Sequence, residues 1–142
     1  MIRAIVACFA LLCAACATQT PQLPDNVTTE VGRPEPTPRV AANDAPPQIL
    51  HMYFSSLDLG RLGHAGPSEW RGSFTTTTNV ASVEVRTNLF SINVPRTAYG
   101  RFAFIADVID LPPIFVRSYT LRVLARNSAG QVQEWHLPLR IH

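Results

Sequence analysis

The sequence predicts an all-β domain over residues 49–142, a seven-stranded antiparallel sandwich of two sheets. Three observations carry that expectation. Eleven of the twelve aromatic residues lie in this stretch. Its apolar and polar residues alternate with a period of two in short runs. Each run is bounded by Gly, Pro, Asn or Asp rather than by helix caps.

Leu50, Met52 and Phe54 alternate with His51 and Tyr53 after Pro46-Pro47 and mark the first strand, with the histidine outward and solvated. A long loop over 55–68, with Gly60, Gly63, Gly66 and Pro67, leads to the second. There Trp70, Gly72, Phe74 and Thr76 face inward and Arg71, Ser73, Thr75 and Thr77 outward. Val83 and Val85 mark a third strand, and Phe90, Ile92 and Val94 a fourth that Pro95 ends. Phe102, Phe104, Ala106 and Val108 follow the Tyr99-Gly100 turn as a fifth, stopped by Pro112-Pro113. In the sixth, Tyr119, Leu121, Val123 and Ala125 alternate with Thr120, Arg122 and Arg126. Asn127-Ser128-Ala129-Gly130 turns into the seventh, with Trp135, Leu137, Leu139 and Ile141 on the core face. Pro138 falls on the opposite face and has no N–H to donate, which predicts an edge strand.

The run Tyr119-x-Leu121-x-Val123-x-Ala125-x-Asn127-x-x-Gly130, with Leu111-Pro112 before it, resembles the F strand and following turn of immunoglobulin-like and fibronectin type III domains. The resemblance implies an immunoglobulin-like sandwich with Tyr119 as a tyrosine corner, its hydroxyl bonded to backbone a few residues upstream. The gap from Leu111 to Tyr119 is longer than in those families, and the cysteine pair of antibody domains is absent. A stretch of ~90 residues can bury enough apolar surface without a disulfide.

Upstream of residue 49 the composition changes twice. Arg3 is followed by fourteen residues, 4–17, with no polar side chain other than cysteine. That is short of the ~20 residues a membrane span needs and fits a secretory signal. Leu12-Cys13-Ala14-Ala15-Cys16 resembles the lipobox of bacterial lipoproteins, with Cys13 standing where the family prefers leucine. The resemblance implies a signal peptide over 1–15, cleavage before Cys16, and diacylglycerol and acyl chains on that residue. Ala17 after it implies the outer membrane. The competing reading is ordinary cleavage after Ala15-Cys16-Ala17, which releases a soluble periplasmic or secreted protein.

Residues 17–48 hold seven of the twelve prolines and no aromatic residue. So little apolar surface predicts a disordered tether with polyproline II character over 16–48, spanning ~30 Å as a coil and ~100 Å when extended.

The chemistry-bearing residues are sparse. All twelve basic residues are arginines, and the net charge of +2 argues against a nucleic-acid partner. All three cysteines lie in the first sixteen residues, which excludes a disulfide scaffold, a cysteine zinc module and cysteine catalysis in the domain. His51, His64, His136 and His142 have no ligand-like spacing, with each other or with Asp58 and Glu69, so no metal site is expected. No Gly-x-Ser-x-Gly turn and no phosphate-binding loop is present. Arg86, Arg122 and Arg126, with Thr75, Thr77 and Thr120, sketch a cationic, hydroxyl-rich sheet face suited to anionic glycans.

These features together read as an envelope lipoprotein, anchored through Cys16, with a non-catalytic module for protein or glycan binding and no cofactor. An accessory subunit of a secretion or surface-assembly machine, using an exposed edge strand, and a small envelope hydrolase or metal-dependent enzyme remain as alternatives.

Overall fold

The computed structural model describes residues 22–59, 69–108 and 113–141. The alternating runs form strands where their periodicity places them: β2 (Ile49–Phe54), β3 (Glu69–Thr76), β4 (Val80–Arg86), β5 (Ser91–Val94), β7 (Arg101–Asp107), β8 (Arg117–Asn127) and β9 (Val132–Ile141). Two short strands that no alternation announces, β1 (Val27–Thr28) and β6 (Arg96–Ala98), join them. The described residues thus carry nine strands rather than seven.

They pair into a five-stranded sheet ordered β1-β2-β3-β7-β6 and a four-stranded sheet ordered β5-β4-β8-β9. Every pair is antiparallel except β1 and β2, which run parallel with Val27 opposite Met52. The fully antiparallel expectation fails there because β1 reaches the sheet edge from an upstream segment and not through a hairpin.

Phe54, Trp70, Phe74 and Phe104 supply aromatic rings from the five-stranded sheet, with Trp70 and Phe104 centroids 5.0 Å apart. Val85, Leu121, Val123, Leu137 and Leu139 face them from the other sheet, all at most 1 % exposed. Gly72 lies opposite Phe54, and a Cβ there would come 2.3 Å from Cε1 of Phe104. The strand therefore needs glycine where the rings converge. β9 is the edge strand that Pro138 predicts, and this proline is exposed opposite Thr120.

Before β8, one turn of 3-10 helix spans Pro113–Phe115. The Tyr119 hydroxyl donates to the Phe115 carbonyl at 2.9 Å, and the residue is 8 % exposed. The bond ties the start of β8 to the turn that precedes it.

The largest departure from the sequence expectation is the tether. Its described part, residues 22–48, is folded onto the sandwich. Leu23 packs against the core, and Val27 and Thr28 are buried. The Met52 N–H donates to the Asn26 carbonyl at 2.8 Å and the Thr78 N–H to the Arg39 carbonyl at 3.0 Å. Asn79 and Asn127 both donate from Nδ2 to the Ala45 carbonyl, at 2.6 and 2.9 Å. The boundary at Gln48 therefore does not separate a free chain from a folded one. Proline makes this possible: an extended segment with preset φ angles loses less entropy when it docks.

Candidate functional site

The outer face of the five-stranded sheet is where this N-terminal strap lies. His51 stands opposite Thr75 and Thr75 opposite Arg101; in the next row Tyr53 stands opposite Ser73 and Ser73 opposite Ala103. The Glu35 carboxylate clasps the strap down, accepting from Ser73 Oγ at 2.8 Å and from Arg101 Nη1 at 2.6 Å. Pro38 sits on Gly100, whose φ of 67° closes the turn into β7 and where a Cβ would lie 2.6 Å from the proline Cβ. A cleft of about 450 Å³ remains between strap and sheet. Thr28, Arg33 and Glu35 line it from the strap, and His51, Tyr53 and Arg71 from the sheet.

His51 faces outward as its alternation requires, but it is covered and not solvated, with 7 % exposure. Among the described residues, neither ring nitrogen, nor the neighbouring Thr75 hydroxyl, has a hydrogen-bond partner. Burial pushes the imidazole below its ordinary value of 6.5, and the nearby Glu35 carboxylate opposes this only in part. The unfolded chain therefore binds a proton that the folded chain resists, and stability falls as pH drops through 6.5. The urea midpoint should be lower at about pH 5.5 than at about pH 7.5, and His51→Leu should shrink that difference. An identical pH response in both proteins contradicts this role.

The clasp also decides what the cleft can do. The Ser73 hydroxyl donates to Glu35 and not to His51, so no serine–histidine pair forms among the described residues. An imidazole, a phenol, two guanidinium groups and two carboxylates, those of Glu30 and Glu35, surround the cleft over this sheet face.

The glycan-binding face sketched by the sequence does not assemble. Thr75 and Thr77 are buried on the strap side, at 0 and 2 % exposure. Arg86, Arg122 and Arg126 share the outer face of the four-stranded sheet with two glutamates. Glu84 lies 3.6 Å from Arg86 and 3.4 Å from Arg126, while Glu134 binds Arg122 and, at 2.8 Å, His136. Those two partners, Arg122 first, hold the Glu134 carboxyl down at about 2. Leu124 is buried among these charges. The face is a paired ladder of opposite charges.

The edge of β9 is restricted as a docking strand. Its Arg140 N–H and carbonyl are already bonded to Leu57 and Leu59, and Pro138 offers no N–H. His136 is exposed on the outer face, while Cys16, His64 and His142 lie outside the described residues. Among the described residues no three His, Cys, Asp or Glu side chains form a metal-binding group, and no helix is long and apolar enough to cross a membrane. No protein-family model matches the sequence, and no curated protein matches it.

The strap cleft is the feature that sequence reading misses. A partial signal for it exists in the outward residues of the two sheets. His51, Tyr53, Ser73, Thr75 and Ala103 form an uncharged centre flanked by Arg71 and Arg101, whereas Glu84, Arg86, Arg122 and Arg126 crowd the outer face of the other sheet. An uncharged centre with arginines beside it is one that an acidic segment can cover.

Proposed function

We propose that the chain is an envelope lipoprotein, anchored through Cys16, whose immunoglobulin-like module binds a protein or glycan partner and does no covalent chemistry. Strand order is the observation that carries the module reading. The run β2-β3-β7-β6 corresponds to the A-B-E-D order of an immunoglobulin-like sheet and β4-β8-β9 to C-F-G, with β5 added beyond C. The Tyr119 bond lies on the strand equivalent to F, where that fold keeps its corner. The non-catalytic reading is supported by the cleft, whose serine and carboxylate are spent on holding the strap. The anchoring reading is supported by the lipobox-like Leu12-Cys13-Ala14-Ala15-Cys16.

Metabolic labelling with palmitate tests the anchor. The full chain expressed in a bacterium is expected to take up label and partition with membranes, and Cys16→Ala is expected to lose both. A wild-type chain that takes up no label and fractionates as soluble overturns the anchor in favour of ordinary secretion.

A further inference from the structure

We propose that the end of the sandwich carrying Leu89, Ile114 and Val116 rests on the lipid bilayer surface, as the membrane-facing end of the anchored protein. This rests on the reading of Cys16 as the lipid acceptor and adds to it a definite orientation.

The argument begins with chain length. Leu23 is already packed against the core, in a shallow hollow with Ser55, Leu57, Pro138 and Arg140. Only six residues lie between it and Cys16, and the seven residue-to-residue steps reach at most ~25 Å at ~3.6 Å each. A free tether over 16–48 would allow the domain to stand ~100 Å away. With the strap docked, the domain cannot leave the neighbourhood of the lipid.

The register shows which end is held there. Leu23 shares its hollow with the residues that follow β2 and with Pro138 and Arg140 near the end of β9, and Arg117 at the start of β8 pairs with Ile141 at the end of β9. The turn between β4 and β5 joins the same end, since Phe90 packs on Trp70 with centroids 5.8 Å apart. Three of the eight large apolar side chains exposed among the described residues cluster here: Leu89 at 36 %, Ile114 at 78 % and Val116 at 48 %. The other five are spread over the strap, the sheet face and the opposite turns.

Polar groups at this end fit a phospholipid headgroup layer. Arg117 and Arg140 are exposed, and neither is in an ion pair among the described residues. Arg117 extends over the Tyr119 ring at 5.0 Å, which leaves its guanidinium free to meet phosphate oxygens. Among the described residues the acids of this end are Asp58, Glu69 and Asp107, and Glu69 is held by Arg71. Contact is therefore led by apolar side chains, with two arginines for headgroup phosphates. Weak affinity is enough, because a short tether holds the surface at roughly millimolar effective concentration.

The test places a fluorophore at each end of the full-length lipidated protein in phosphatidylethanolamine–phosphatidylglycerol vesicles doped with spin-labelled lipid. Ile114→Cys carries it at the proposed contact and Ser128→Cys in the turn at the far end of β8. After processing, neither has a competing free thiol, because Cys8 and Cys13 leave with the signal and Cys16 is acylated. Quenching is expected to be at least about twofold greater at position 114, as for side chains held ~5–10 Å into the headgroup boundary. Equal quenching at both positions, on protein that carries palmitate, overturns the orientation and leaves the anchor standing. Protein without palmitate overturns both. Val116→Glu tests the contact a second way: this exposed position should tolerate the charge in folding, and the quenching at 114 should fall.

Discussion

Trp70→Ala is expected to lower stability by about 3–5 kcal/mol, the range for truncating a large buried aromatic residue. Trp70 is 2 % exposed and packs on Phe54, Phe90 and Phe104, which belong to three different strands or turns. Its Nε1 donates to the Ser56 carbonyl at 2.9 Å, tying the chain after β2 to β3. Losing the ring removes the contact between the sheets at one end and orphans that carbonyl. Against a total stability of about 5–15 kcal/mol, the variant should melt roughly 10–20 °C lower. A Trp70→Ala protein within about 1 kcal/mol of wild type contradicts the tight packing described around this ring.

Removal of residues 22–48 is expected to be nearly as damaging. Val27 forfeits about 1.5–3 kcal/mol of burial. The Nδ2 groups of Asn79 and Asn127 lose the Ala45 carbonyl, each at a cost of about 1–3 kcal/mol if left unpaired. Releasing the strap returns conformational entropy, so these losses are offset in part and the net is expected to exceed about 2 kcal/mol. The measurement is urea unfolding of residues 22–142 beside residues 49–142. A free tether predicts no difference at all, so even a modest loss separates the two pictures.

The contrast between strands and strap shows what a sequence can reveal. Tyr119, Leu121, Val123 and Ala125 announce β8 because alternation is local, and one buried face is enough to write it. Pro138 announces an edge for an equally local reason, the missing N–H. β1 has only two residues and cannot show a period, while the three residues of β6 are all exposed. The strap is invisible to composition because its partners are remote in the chain: Glu35 meets Ser73 and Arg101, Arg39 meets Thr78, and Ala45 meets Asn79 and Asn127. Proline content reads as a sign of disorder, yet it also lowers the entropy cost of docking. His51 follows from the same cause, since alternation assigns it to an outer face without saying what covers that face.

Function was less legible than fold. The proposal of Cys16 as a lipid acceptor rests on a short local pattern, Leu12-Cys13-Ala14-Ala15-Cys16. The cleft under the strap depends on residues 28–35 meeting residues 51–105 across the sheet, which no spacing rule encodes.

Residues 22–48 belong to the folded domain, and amide hydrogen exchange of the full-length protein tests this. The Val27 amide is bonded to the Pro24 carbonyl at 2.9 Å and the Ala41 amide to the Thr78 hydroxyl at 3.2 Å; Met52 and Thr78 donate to the strap in return. Slowed exchange at Val27 and Ala41, together with protection at Met52 and Thr78, is the predicted result. Exchange of Val27 and Ala41 at the rate of an unstructured chain, while the amides of β8 stay protected, contradicts it.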